Sequence, residues 1–502
     1  MAYSRKTILI VLLFTGLRII LSFFLDLGND ESYYWTYSRH LQWNYFDHPP
    51  MVAVWIRFFT LDLLLQDHVF FLRLGSFISC AAASYFMYRA IKTISTEKAA
   101  FAGVFLFNCS FYAGITAGLL ITPDTPQLLF WTAGMFLFTK ISEVDSRWRY
   151  WILFGIVTGL CIMSKLHGVF LWFGMLCYAL FFMRKWFLRP HMYVAGLLTL
   201  CIISPIIFWN INNDFITYRF HSERVKVGDG RSLNWFGPVR EFIGQLIINN
   251  PFNVVLIFIF LFSKKYTLKN IAALRMFKLC SIPLLIIIFF IAFFRLSLPH
   301  WSGPVYICLI PIAAIGLSEM NRAGARRIFR WATAYSIVYI LLIIAAVNYY
   351  PGTFGFKTPP NLGKGDISLD AYGWKEAGEQ FVTIYNSREK DASARPPLIC
   401  HNWSGAHEEY YFARPVKAAM VGLGEMKDLH NYTWTNKFIS AIPDPAYCII
   451  HSDEYYDVQK TYRGYYESID SLTTIHIMRN NKPAHDFTVY RLSGWKNKNI
   501  SN

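Results

Sequence analysis

A chain of 502 residues that is 54% hydrophobic, 18% aromatic and only 16% charged, with mean hydropathy +0.31, is too apolar for an ordinary soluble domain. Its net charge of +16 would suit a nucleic-acid partner, but the Lys and Arg residues fall in short clusters between apolar runs, the pattern that orients membrane helices. The composition describes a polytopic α-helical membrane protein and leaves no need for nucleic acid.

Arg5 and Lys6 precede an apolar run from Thr7 to Leu25 with no small-residue cleavage site, which reads as an uncleaved first helix. Further apolar runs follow at 69–91, 99–117, 125–141, 150–164, 167–183, 192–211, 246–263, 279–295, 303–318 and 329–349. At about 20 residues per crossing, these make about eleven spans. Met51 to Leu65 is apolar but broken by Arg57 and Asp62, and reads as an interfacial helix or as an extension of the next span. With a cytoplasmic N-terminus, the basic connections holding Lys92 and Lys98, Arg147 and Arg149, Arg184 to Arg189, Lys264 to Lys278, and Arg322 to Arg330 all fall on one side. The loops 26–67 and 212–245, the turn at His300 and the C-terminus then face outward. Seven of the nine cysteines lie in apolar runs and read as small packing residues.

The composition shifts at Tyr350-Pro351-Gly352. Residues 1–350 are the expected membrane domain and 351–502 a soluble α/β domain. The latter has strand-like runs at Leu398–Cys400, Tyr447–Ile450, Thr474–Met478 and Thr488–Leu492, and a helix at Tyr372–Asn386. Cys400 and Cys448 there are either a disulfide or two buried thiols.

The outward loops collect the chemistry. Asp30 and Glu31 in Asp30-Glu31-Ser32-Tyr33-Tyr34-Trp35, then Asp47 and His48 in Tyr45-Phe46-Asp47-His48-Pro49-Pro50, follow the first helix directly. Carboxylates at a membrane edge are costly and therefore functional candidates. Tyr34 and Tyr45 offer a sugar platform or an interfacial belt. Asp124, between Pro123 and Pro126, is either a helix cap or a site residue, and Lys165 either snorkels or binds. The 212–245 segment adds Arg219, His221, Glu223, Arg224, Lys226 and Arg231, against the positive-inside trend. Carboxylates suit a general base and Arg or Lys suit a phosphate, so together they point to transfer of a sugar from a lipid phosphate. Glu31, His48 and His221 are ligand types for a divalent metal, but their spacing fixes no geometry, so a metal stays an open alternative.

The first-loop strings, with Ile121-Thr122-Pro123-Asp124-Thr125-Pro126, Ser164-Lys165-Leu166-His167-Gly168 and His300-Trp301-Ser302-Gly303-Pro304, resemble the bacterial PMT-like glycosyltransferases. These are relatives of the dolichyl-phosphate-mannose protein mannosyltransferases and of the lipid A aminoarabinose transferase. The resemblance covers about residues 1–350. It implies a GT-C bundle in the bacterial inner membrane, catalysis on the outer face and a polyprenyl-phosphate-linked sugar as donor. It assigns Asp30 as the catalytic aspartate and Asp124 as a second acidic position. Lys165, with Arg219 or Arg224, is expected to handle the phosphate, and Tyr34, Tyr45, Asp47, His48, His300 and Trp301 the substrates. The acceptor is a membrane-associated glycolipid such as lipid A, another glycan or a protein, and either Asp30 or Glu31 is the base. The rival reading is a transporter or flippase of a lipid-linked sugar, which predicts internal repeats that the sequence does not show.

Overall fold

The computed structural model describes residues 2–225, 233–263, 268–390, 395–439 and 444–496. Lys226, Arg231, Lys264 and Lys265 lie outside the described residues. The chain divides into two compact units: Met1–Leu21 with Leu41–Tyr339, and Ser22–His40 with Ile340–Asn502. The boundary expected near residue 350 therefore falls earlier, and Ser22–His40, the end of the first apolar run with the first part of the loop after it, joins the C-terminal unit.

The helices in chain order are α1 (Ala2–Ser22), α2 (Asn29–Arg39), α3 (Met51–Phe59), α4 (Val69–Ile94), α5 (Glu97–Cys109), α6 (Asp124–Glu143), α7 (Trp148–Ser164), α8 (Val169–Phe182), α9 (Pro190–Asn212), α10 (Ile216–Val225), α11 (Phe236–Asn249), α12 (Pro251–Leu261), α13 (Ile271–Ala292), α14 (Gly303–Glu319) and α15 (Arg322–Ile344). All but α2 belong wholly or mainly to the first unit. Among the described residues, five helical segments are long and apolar enough to cross a bilayer, and a bent pair makes a sixth. The segment ending in α14 is almost wholly buried whereas α15 has few buried residues, which puts α14 at the centre of the bundle. Its Ile310, Ala313, Ala314 and Leu317 join Leu106 of α5, Trp131 and Phe138 of α6, and Cys280 of α13 in one apolar core.

Two expectations need correction. The run 246–263 is not one continuous helix, because the chain turns by 108° between α11 and α12. Asn250 sits at φ +67°, its side chain accepts from the Phe252 amide, and Pro251 starts α12. Proline is well suited to a helix start and cannot continue the preceding hydrogen-bond ladder. The segment 212–245, expected as a loop, holds α10 and most of α11. The first loop is also helical: Asp30 and Glu31 lie in the first turn of α2, and Met51 opens α3.

In the second unit, α16 (Trp374–Arg388) precedes a five-stranded sheet of order β2-β1-β3-β5-β4. The strands are β1 (Leu398–Cys400), β2 (Met420–Gly422), β3 (Ala446–His451), β4 (Tyr466–Arg479) and β5 (Lys482–Trp495). β1 runs parallel to β2 and β3, whereas β5 is antiparallel to β3 and β4. The β4–β5 hairpin turns on Asn480 and Asn481, both at positive φ, which asparagine tolerates and a twisted hairpin favours. Cys400 and Cys448 are free and buried, so the disulfide alternative is not realised.

Candidate functional site

In the first unit the chemistry gathers at the start of α6. Thr125 donates from Oγ1 to the Ala117 and Leu120 carbonyls at 3.0 Å each, tying the first turn of α6 to the segment before it. This fixes Asp124, which is 3% exposed. Its Oδ1 accepts from Tyr112 Oη at 2.9 Å and its Oδ2 from Lys165 Nζ at 2.7 Å. Lys165 reaches it because α7 ends at Ser164 and the chain makes a tight turn through Gly168. A Cβ at Gly168 would lie 2.7 Å from the Cys161 backbone, so no larger residue fits. Gly303 serves the same arrangement from the other side, since a Cβ there would lie 2.3 Å from the Tyr112 ring. The sequence motifs around Asp124, Lys165 and His300 are thus brought to one place, with His300 inside the electrostatic surroundings of Asp124.

The segment 44–48 joins them. Asn44 donates to Thr217 Oγ1 at 2.8 Å, Thr217 donates to the Tyr45 carbonyl at 3.0 Å, and Phe46 packs on Phe220 at 4.7 Å, which fastens α10 to this segment. His221 Nε2 lies 2.7 Å from the Asp47 carbonyl and therefore carries the proton there. His48 lies 4.0 Å from the Asp47 carboxylate, and Lys165, His221 and Asp124 all act on it. Desolvation pulls the His48 imidazole down to about 4 against the opposing effect of Asp47, leaving it neutral at physiological pH.

Several expected roles change. Tyr45 is fully buried, and Tyr34 is buried among Tyr33 and Tyr37 in the other unit, so neither ring is an open sugar platform. Arg219 is on the exposed face of α10, and the Arg224 side chain lies outside the described residues. Trp301 is half-buried in the short turn Pro299–Ser302 and packs against the core. Among the described residues no three His, Cys, Asp or Glu side chains are arranged to hold a metal; His48 and His221 stand 6.1 Å apart between ring centres, and Glu31 belongs to the other unit. The metal alternative gains no site.

In the second unit, Asp30 and Glu31 separate in role. Glu31 is 1% exposed and its Oε2 accepts from the Gly28 amide at 3.1 Å, the reciprocal half of a helix-capping arrangement. Asp30 is exposed. Asp370 completes the cap by accepting from the Asn29 amide at 3.0 Å. The entry to α2 is fixed further by Tyr411 Oη accepting from the Leu27 amide at 2.6 Å and by His407 Nε2 on the Leu27 carbonyl at 2.6 Å. An Arg39–Glu409 ion pair holds its other end.

A buried polar network was not singled out from the sequence. Glu241 accepts from Gln245 Nε2 at 2.8 Å and from Ser297 Oγ at 2.5 Å, and Tyr306 donates to Gln245 Oε1 at 2.6 Å. It ties α11 and α14 to the segment that leads into His300. The i, i+4 spacing of Glu241 and Gln245 in a largely apolar stretch was the available signal, hidden by reading 212–245 as a loop. Arg18 of α1 is likewise buried, donating to the Gly114 carbonyl and to Asn108 Oδ1.

Residues 47–209 match the family model described as dolichyl-phosphate-mannose-protein mannosyltransferase. A curated relative, the lipid A galacturonosyltransferase RgtD of Rhizobium johnstonii, is 24% identical over 251 residues, which is 48% of this chain and 52% of that protein. The match thus spans about half the length of each. The crystal structure of ArnT from Cupriavidus metallidurans bound to undecaprenyl phosphate superposes with TM-score 0.58 at 15% identity, covering 98% of this chain and 99% of that one. The same protein in the apo state gives TM-score 0.60 at 14% identity, over 96% and 97% of the chains. The likeness to ArnT is one of fold, and with the family match it bears out the resemblance to PMT-like GT-C proteins and a multi-pass membrane architecture.

Proposed function

We propose that this PMT-like protein is an integral membrane glycosyltransferase that moves a sugar from a polyprenyl-phosphate carrier to an extracytoplasmic acceptor. The observation that carries this reading is the buried Tyr112–Asp124–Lys165 arrangement set among His48, His221 and His300. Asp124 uses one of the three ammonium protons of Lys165 and fixes where the others point. Those remaining donors suit the carrier phosphate as it departs, with Arg219 as a further cation. That the ArnT structure holds undecaprenyl phosphate supports a carrier of this class.

For a hydroxyl acceptor, its oxygen attacks the anomeric carbon and the bond from that carbon to the phosphate oxygen breaks. The carrier leaves as polyprenyl phosphate, and Asp30 takes the hydroxyl proton, with inversion at the sugar. Asp30 rather than Glu31 is the base in this scheme, because Glu31 is buried and spent on the helix cap. For a phosphate acceptor already ionised, Asp30 orients instead. Lipid A, another glycan and a protein are the acceptor classes, the first favoured by the name of the galacturonosyltransferase relative. We place the protein in the bacterial inner membrane with about eleven spans, N-terminus inside and both sets of polar residues outside.

The test incubates purified protein with a radiolabelled polyprenyl-phosphate sugar and extracted cell-envelope glycolipids. Label should pass to an acceptor in wild type and not in Asp124→Asn. Label that moves across a proteoliposome membrane but never leaves its carrier would establish the flippase reading instead. Comparing envelope glycolipids by mass spectrometry from cells with and without the protein identifies the product.

A further inference from the structure

Arg18 lies near the end of α1, a largely apolar helix, and is 2% exposed. Its hydrogen-bond partners among the described residues are both uncharged: Nε donates to the Gly114 carbonyl at 2.9 Å and Nη2 to Asn108 Oδ1 at 2.8 Å. Nη1 is buried with no partner among them. Burying a cation without a counter-charge is expensive, and an apolar side chain at this position of α1 would carry no such cost. Packing therefore gives no reason for Arg18, and its two contacts have to supply one.

The Gly114 contact leads to Asp124. Gly114 is the middle residue of a π-helical turn, Tyr112–Thr116, closed by the Ala117 amide donating to the Tyr112 carbonyl at 2.9 Å. Such turns are rare and recur at functional sites. Here the turn is tied to the site from both ends. At its start Tyr112 donates to Asp124 Oδ1 at 2.9 Å, and just past its finish the Ala117 carbonyl accepts from Thr125, the neighbour of Asp124, at 3.0 Å. Arg18 fixes the middle, since the adjoining Ala113 carbonyl takes only the Cys80 thiol, a weak donor, at 3.2 Å. The second contact supplies the anchor: Asn108 belongs to α5 and donates in turn to Ser84 of α4 at 3.0 Å. One edge of a guanidinium carries two parallel N–H groups, so a single side chain grips the turn and α5 together, which an ammonium does not match.

We propose that Arg18 is a positioning residue for Asp124: by holding the Gly114 carbonyl it sets the π-helical turn, and with it the Tyr112 hydroxyl that fixes the Asp124 carboxylate opposite Lys165. The placement stands on these contacts alone; its consequence for sugar transfer rests on the transferase reading.

The experiment uses the full chain in nanodiscs with a fluorotyrosine in place of Tyr112, read by fluorine NMR beside the radiolabel transfer assay. The resonance reports the ring hydroxyl and its acceptor, and Asp124→Asn gives its position without a carboxylate. Arg18→Lys keeps the charge and loses the fork, whereas Arg18→Gln removes the buried charge, keeps one amide donor and secures a folded variant. Both should move the resonance toward that of Asp124→Asn and lower kcat about a hundredfold, with donor KM changed less than about threefold, the pattern of a misplaced reacting group and not of lost binding. Leu256→Ala, at a buried core position of α12, is the stability control. It should lower the melting temperature at least as far as Arg18→Gln while leaving the resonance and the kcat of the folded protein where they were. A resonance that stays in place in both Arg18 variants, a kcat loss no larger than that of Leu256→Ala, or a rise in KM alone overturns the proposal. A wild-type protein that transfers no sugar but whose Tyr112 resonance still depends on Arg18 defeats the transferase reading and leaves the placement standing.

Discussion

Lys165 Nζ donates to Asp124 Oδ2 at 2.7 Å with both side chains buried, joining the end of α7 to the start of α6. Removing one member of such a pair strands the other's charge, at a cost of about 3–5 kcal/mol, whereas removing both by near-isosteres costs much less. Lys165→Met should therefore lower the melting temperature more than the double variant Lys165→Met with Asp124→Asn. Scanning fluorimetry in one detergent measures both, and equal destabilisation would show that the pair is not energetically coupled. Neither protein should transfer sugar.

Asp30→Asn and Glu31→Gln should have different outcomes. Asp30 is exposed, so Asp30→Asn is expected to abolish transfer to a hydroxyl acceptor while melting as wild type does. Glu31 accepts the Gly28 amide, so Glu31→Ala should lose about 1 kcal/mol of stability, the worth of a helix cap. Glu31→Gln keeps an acceptor and should keep most activity. An inactive Glu31→Gln beside an active Asp30→Asn would exchange their roles.

Gly303→Ala should disable the donor end of the site without touching a charged residue. Its Cβ would meet the Tyr112 ring at 2.3 Å, and the ring must shift, taking its hydroxyl from Asp124. Overpacking of this kind costs about 1–3 kcal/mol. Gly303→Ala with Tyr112→Ala removes the collision and should regain stability but not full transfer, by the same melting and radiolabel assays.

The C-terminal unit should carry a pH signature. Against burial, Asp453, then Glu408 and Glu454, hold the His451 imidazole above its ordinary 6.5, up to about 9. A base with a raised folded pKa stabilises fully below its unfolded value and loses that contribution as pH rises through the folded value. The His451 contribution is thus complete below 6.5 and fades toward 9. Against its own burial, Asp453 is held well below 3.8 by His451, so its contribution is present above 3.8 and lost in stronger acid. The difference in melting temperature between wild type and His451→Gln should be greatest near pH 5 to 6 and shrink on the alkaline side. A difference that grows with pH would contradict the pairing.

Much of this was legible in the chain. The apolar runs 69–91, 150–164 and 192–211 lie within a few residues of α4, α7 and α9, since burying such lengths leaves no alternative to a helix in a bilayer, whereas α13 begins well before its expected run at 279. Leu398–Cys400 is a strand as expected, and Tyr372–Asn386 anticipates α16 with a shift of two residues. Asp30 stood out as a costly carboxylate at a membrane edge, Asp124 and Lys165 as members of the same outward polar set, and His300 through the resemblance of its motif.

Tertiary structure alone decided what those groups do to one another. Asn250 adopts positive φ and turns an apolar run into two helices, a local choice that hydropathy does not register. Residues 22–40 pack with the C-terminal unit because Tyr411, His407 and Asp370 supply the hydrogen bonds that Leu27 and Asn29 need. The sequence placed two adjacent carboxylates at a helix end. Which is buried as a cap and which is exposed depended on groups some 340 to 380 residues away, because hydrogen bonds are satisfied by proximity in space and not in the chain.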